Sequence, residues 1–265
     1  MITLCQTQFT DRQQLINYVA KLSGRSTEPA SELWVGGSAH AQALMSSLDV
    51  VAYGRERNFL HGAVSRLSPY LRHGVLTPDE LLEYVLTHHE PVEAEKFIQQ
   101  LSWQAFFQHV HAQNPGLIWQ DREPYKTGFS AQDYATELPE DIKLGQTGVR
   151  IIDQIIERLI SLGYLHNHCR LYLASYVVHW RRIRWQAGAR WFLEHLLDGD
   201  CAANNYSWQW VASTFSAKPY YFNLDNVRRF SAGLLDTEDE SNVMFDASYE
   251  ALQQRLFPDV KEPFQ

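Results

Sequence analysis

The chain has 265 residues, a formal net charge of -8 at pH 7 and 45% hydrophobic residues, enough for one large domain or two small ones around a sizeable core. The acidic balance weighs against general nucleic-acid affinity, and no segment is long and apolar enough to cross a bilayer. Cys5, Cys169 and Cys201 form neither a C-x-x-C pair nor an even framework, so disulfides and metal sites are not expected, and a reduced, cytoplasmic location is.

Asp11 to Leu22 and Ser31 to Leu48 alternate apolar and polar residues at helical spacing, with Gly24 and Pro29 between them. They predict two peripheral helices, with residues 1–50 packed on a main domain of residues 51–265. In the run from Tyr53 to Gly74, Ser65 and Ser68 stand at a helix start, where they serve either as a plain cap or as phosphate donors. Thr77-Pro78-Asp79-Glu80 is a capping box that predicts a helix from Pro78 to about Leu86. A longer helix opens after Pro91 and stops at Asn114-Pro115-Gly116. Its Phe97, Leu101, Phe106 and Val110 read as core, whereas Trp103 is either packing or a ligand platform. Gly116 to Gln146 is rich in Pro, Gly and acidic residues and reads as loop.

Thr147 to Leu162 places Ile152, Ile155, Ile156 and Leu159 on one side, and Gly163 is a natural helix stop. A second helix is expected from about Arg170 to Trp185, and a third before Asp198-Gly199-Asp200. Arg158, Arg170, Arg181, Arg182, Arg184 and Arg190 fall in a stretch with no acidic residue, so they require carboxylates from elsewhere in the chain or a bound phosphate. Trp180, Trp185, Trp191, Trp208 and Trp210 cluster in the same region with the paired amides Asn204-Asn205. Such a set suits a large planar heterocycle or, equally, a polar-lined core. Asp236 to Glu240 reads as a solvated loop before a last helix near Tyr249 to Leu256.

The motifs T-G-V-R-I-I-D, G-Y-L-H-N-H-C-R-L and D-G-D-C-A-A-N-N-Y-S-W-Q-W, in this order and spacing, resemble the FAD-binding domain of the cryptochrome/DNA photolyase family. The resemblance implies an all-α fold, FAD as cofactor and no metal, and the family's N-terminal α/β antenna domain is not expected within a chain this short. By position, Tyr53, Ser65, Arg66, Leu67 and Ser68 would clasp the phosphates, and Asn167 would sit near the phosphates or adenine. Asn204 would face flavin N5, Arg170 and Asp198 would pair over the ring, and Asp200 would bind its pyrimidine edge. An amide at N5 can donate or accept. Trp208 and Trp185 match the inner and middle members of the family's electron relay; the outer position falls near Gln132, with Trp119 and Tyr134 as possible substitutes. Trp103 and Trp210 match the walls of the lesion pocket, and Gln100 stands where the family carries a Glu. Other departures are Val64 for Thr, Tyr164 for Trp, His168 for Arg, and Gln104-Ala105 for Arg-Glu. The implied function is a light- or redox-responsive flavin module. The alternative is a blue-light deoxyribodipyrimidine photolyase, with damaged single- or double-stranded DNA as its partner.

Overall fold

The structure, a computed structural model, describes residues 5–24, 34–260, 262 and 264. The chain divides into two compact units, Met1–Val35 and Gly36–Gln265. In the first, α1 (Arg12–Ser23) is opened by Asp11, whose carboxylate accepts from Gln14 N, and closed by left-handed Gly24. Residues 25–33, which include the start of the second predicted helix, lie outside the described residues.

In the larger unit α2 (Ser38–Ser46), α3 (Val50–Glu56), α4 (Ser68–Arg72), α5 (Pro78–His88) and α6 (Pro91–Gln113) come first. The chain divides before α2, which is tied to the helices on its C-terminal side. Ala41 is fully buried, and the His40 ring lies 6.1 Å from Tyr70 of α4. Thr77 and Glu80 form the reciprocal capping box at α5.

After a loop holding the short helix α7 (Glu140–Lys143) come α8 (Arg150–Leu162), α9 (Asn167–Ser175), α10 (Trp185–His195), α11 (Cys201–Ala212), α12 (Leu224–Ser231) and α13 (Tyr249–Leu256). Among the described residues the only strand-like feature is one parallel bridge, Ala135 to Ile183. Ile151, Ile152, Ile155, Ile156 and Leu159 of α8 are all fully buried, and Gly163 closes that helix at φ 63°. The core gathers these with Tyr172, Val177, Trp185, Phe192, Trp208, Phe222 and Phe245.

The helix expected from Arg170 to Trp185 is two elements. α9 starts at Asn167, passes into a π-helical turn, Tyr176–Trp180, and stops; α10 starts at Trp185. The break falls where Arg182 takes φ 50° and its backbone pairs with Ala135, whose N–H donates to Arg182 O at 2.8 Å. That conformation lays the Arg182 guanidinium 3.7 Å from the Phe129 ring centroid.

α10 and α11 pack closely because α10 has no side chain at Gly188. A Cβ there would stand 2.2 Å from Trp208 Cη2, an overlap that neither helix can absorb without moving. Alanine at a helical glycine ordinarily gains about 0.5–1 kcal/mol, while overpacking costs about 1–3 kcal/mol. Gly188→Ala is therefore expected to lose stability on balance and to shift Trp208 emission, both measured in urea denaturation followed by tryptophan fluorescence. A variant as stable as the parent would mean that Trp208 is not wedged against α10.

Candidate functional site

A cleft between α3, α4, α6, α9, α10 and α11 holds two chambers. The larger, about 300 Å³, has apolar walls from Leu171, Ala174, Phe192, Trp208 and Val211, and a polar edge of Arg170, Asp198, Asp200 and Asn204. The smaller, about 240 Å³, is lined by Tyr53, Arg57, Ser65, Arg66, Tyr164 and His166. Ser68, Gln100, Asn167, Arg170 and Asp198 border both, forming a waist between them.

Asp198 is the node of this waist. Its carboxylate, 3% exposed, accepts from Ser68 Oγ at 2.6 Å and from Arg170 Nη2 at 2.8 Å, both on Oδ2. Arg170 Nε donates to Leu165 O. Burial works against the Arg170 charge, and the Asp198 carboxylate outweighs it, holding the guanidinium pKa above its usual value. The other Asp198 oxygen, Oδ1, is buried without a partner, as is Trp208 Nε1. Both belong to residues lining the larger chamber, and unsatisfied buried polar atoms on a cavity wall fit a polar ligand there.

Backbone carbonyls fix the orientation of the Asn204 amide. Asn205 Nδ2 donates to Ile118 O at 3.1 Å, which turns Asn205 Oδ1 toward Asn204. Asn204 Nδ2 then donates to that oxygen and to Ala189 O, each at 3.0 Å. Carbonyl oxygens only accept, so Asn204 has both amide hydrogens committed and retains Oδ1 as a free acceptor. The amide that sequence alone leaves able to donate or accept is restricted to accepting. Asp200 caps α11 through Ala203 N with one oxygen, which leaves the second for a ligand.

The predicted phosphate clasp is only partly assembled. Tyr53, Ser65, Arg66 and Ser68 line the smaller chamber. Leu67 does not, because its side chain is 1% exposed in the core and its N–H donates to Ser65 Oγ. Ser68 is a donor to Asp198 before it is a donor to anything else. Arg57, unremarked in the sequence, lines this chamber and donates to Gln100 Oε1 at 2.7 Å, so Gln100 retains its amide hydrogens.

Trp103 borders the larger chamber and is 51% exposed, whereas Trp210, 43% exposed, does not border it and packs on Tyr220. Trp208 and Trp185 are buried. No tryptophan stands at Gln132, and of the two possible substitutes Trp119 is the one beside Trp185. Its ring lies parallel to that of Trp185, 6.3 Å between centroids and 4° between planes, and it is partly exposed. Spacing from Thr147 misses it because the intervening loop makes turns of its own at Ala131–Asp133 and Glu140–Lys143. Tyr134 is instead buried against Tyr125.

The arginine-rich stretch is not an open basic face. Arg170 pairs with Asp198 and Arg181 with Asp141; Arg158, Arg182 and Arg184 donate to the carbonyls of Leu234, Leu256 and Ala131. His166, which lines the smaller chamber, and His168 beside it are both held neutral. Burial pushes His166 down to about 4, with the Arg170 and Arg57 charges adding to it against a hydrogen bond to the Arg57 backbone. Burial, then His166 and Arg57, push His168 to about 4. His168 lies against Phe230. Among the described residues no cluster of His, Cys, Asp and Glu could hold a metal ion, and no helix is long and apolar enough to cross a membrane.

A helical unit with a two-chambered cleft of this make-up has the architecture of photolyases and cryptochromes. It overlays a bacterial class III photolyase from Agrobacterium tumefaciens with a TM-score of 0.69 at 24% identity, covering 88% of this chain and 54% of that one. Against an archaeal photolyase from Sulfolobus tokodaii solved with two FAD molecules the TM-score is 0.63 at 28% identity, covering 77% and 46%. Residues 97–239 match the family model for the FAD binding domain of DNA photolyase, and the chain belongs to that family. Among its curated relatives are the deoxyribodipyrimidine photo-lyases of Streptomyces griseus, 36% identical over 57% of this chain, and of Escherichia coli K12, 32% identical over 66% of it. The chain spans 32% and 38% of those two relatives' own lengths.

Histidines whose folded pKa is about 4 against an ordinary 6.5 bind fewer protons folded than unfolded between those values. Their contribution to stability is whole above pH 6.5 and is lost as pH falls toward 4. His168→Asn is expected to flatten the fall in unfolding free energy over this window, measured by urea denaturation at several pH values. An unchanged slope would mean that His168 titrates normally.

Proposed function

We propose that this chain holds FAD with its ring system in the larger chamber and its diphosphate in the smaller, and uses it for light- or redox-driven transfer of single electrons. The observation that carries this reading is a pair of indoles in one core, Trp208 on the wall of the larger chamber and Trp185 fully buried. The donor set fits the cofactor. Arg57 and Arg66 supply positive charge and Tyr53 and Ser65 hydroxyls in the smaller chamber, while the larger pairs apolar walls with hydrogen-bonding groups along one edge. When bound, the flavin supplies a light-excitable centre that gives or takes one electron at a time.

The protein's own residues then decide which form is favoured. Asn204 would offer a ring in the larger chamber its Oδ1 as an acceptor, and so would favour a form in which a facing nitrogen carries a hydrogen. Asp198, held by Ser68 and Arg170, keeps a carboxylate at the waist. A buried ion pair of this kind adds little net folding free energy, and its role is in holding the ligand. Protein that has bound FAD should be coloured. Asp198→Asn and Arg170→Ala are each expected to raise the dissociation constant for FAD by about tenfold or more, the effect of losing a charge-assisted hydrogen bond, read by titration of flavin fluorescence. A parent protein that stays colourless in excess FAD would refute the cofactor assignment.

Repair of cyclobutane pyrimidine dimers is the second reading, and Trp103 favours it. Its exposed indole borders the same chamber, as stacking on a base extruded from a strand requires, and the free amide hydrogens of Gln100 lie beside it. The matched relatives are named for that reaction. Under blue light, reduced protein should clear dimers from an oligonucleotide, and Trp103→Ala should slow clearance at least about fivefold, since base stacking is worth about 1–3 kcal/mol. No clearance by fully reduced protein would leave the electron-transfer module alone.

A further inference from the structure

Trp185 is wholly buried, and its indole N–H donates to Asp121 Oδ1 at 2.6 Å, a length that marks a charge-assisted bond. Gln186 Nε2 donates to the same oxygen at 2.9 Å and to Trp119 O at 3.3 Å, so the carboxylate is clamped beside the ring pair. Asp121 takes part in no ion pair among the described residues, and the indole N–H is its charge-assisted contact. The outer ring has the opposite neighbour: the Arg190 guanidinium sits 4.8 Å from the Trp119 ring centroid.

These two charges act in opposite senses on an indole that has lost an electron. A carboxylate on the N–H stabilises the positive charge left behind, and does so at a part-buried contact, where screening is weaker than in open water. A guanidinium over the ring, favourable to a neutral indole, opposes that charge. Outward drift of the charge from Trp185 to Trp119 therefore runs uphill, although the rings are stacked.

We infer that Asp121 makes Trp185, and not the outer Trp119, the residue that finishes oxidised, by accepting its proton. The inference rests on the electron-transfer reading above. In the step, Trp185 gives one electron by way of Trp208 to a photo-excited, oxidised isoalloxazine, and its Nε1 proton passes to Asp121 Oδ1. One N–H bond breaks and one O–H bond forms, leaving a neutral indolyl radical beside a neutral carboxylic acid. Removing the proton makes return of the electron slow, because the proton has to come back with it. Asp121 is thus assigned as a proton acceptor for Trp185, held in place by Gln186.

The test uses whole protein shown by its absorption to hold oxidised FAD. After a light flash, time-resolved absorption and electron paramagnetic resonance should find a deprotonated tryptophan radical, and Trp119→Phe should change its yield less than about twofold. Asp121→Asn keeps an acceptor for the indole but not a base, and should lower the yield of deprotonated radical about tenfold. A readout independent of photochemistry is the Trp185 indole ¹H–¹⁵N resonance. It should move upfield in Asp121→Asn while the other indole resonances hold, which also establishes that the variant folds. Parent-like deprotonated radical in Asp121→Asn, or its loss in Trp119→Phe, would overturn the inference and leave the relay intact. Flavin-loaded parent protein that forms no tryptophan radical at all would overturn the relay and the inference together.

Discussion

The carboxylate of Asp198 is the constraint on which the cleft depends. It lies on the turn between α10 and α11, yet its partners come from the start of α4 and the first turns of α9. One buried oxygen thus brings three distant segments to a single point, and that point is the waist between the chambers. Withdrawing one partner would leave a charge stranded out of water, which is far more costly than the pair is worth when complete. The geometry around it is correspondingly stiff: Arg170 is held a second time by Leu165 O, and Arg72 donates to the neighbouring Gly199 O.

From that waist the two chambers diverge in chemistry. One offers cations and hydroxyls to an anionic group, the other apolar walls and one polar edge. The Asn204–Asn205–Ile118 chain shows how a fold removes a choice that a side chain has in principle. An isolated amide faces a ligand either way round, but here two backbone carbonyls leave it only one. Behind the wall, Gly188 admits Trp208 and the break at Arg182 allows α10 to begin at Trp185. The spacing of the indoles is therefore a product of helix packing.

Much of the fold was legible because its signals are local. Thr77 and Glu80, Gly163, and the isoleucines of α8 act through neighbours in the chain, and the elements they predict are present. The flavin motif was legible because it is contiguous. What stayed hidden depends on contacts between distant residues. Nothing near Ser68 announces that its hydroxyl is taken by Asp198, nothing near Asn204 tells which way its amide points, and the arginines from Arg158 to Arg184 look unsatisfied until Asp141, Leu234, Leu256 and Ala131 arrive from elsewhere. Trp119 could be named only as a possible substitute, for a related reason. Counting residues backward from a helix works only if the loop between is of standard length, and the loop from 120 to 149 folds back on its own short turns. The local sequence Trp119-Gln120-Asp121 carried the pair of side chains that matter at Trp185, but only the fold brings them there.

The waist has a further consequence, for the life of the protein in a cell. Its lining residues, Ser68, Gln100, Asn167, Arg170 and Asp198, are gathered only when the larger unit is folded, so the cofactor binds the native chain and has nothing to hold in the denatured one. Mass action then adds to native stability in step with the free concentration of FAD, and proteolysis draws on whatever fraction is unfolded. A chain filled with FAD is therefore expected to be cleared more slowly than an empty one.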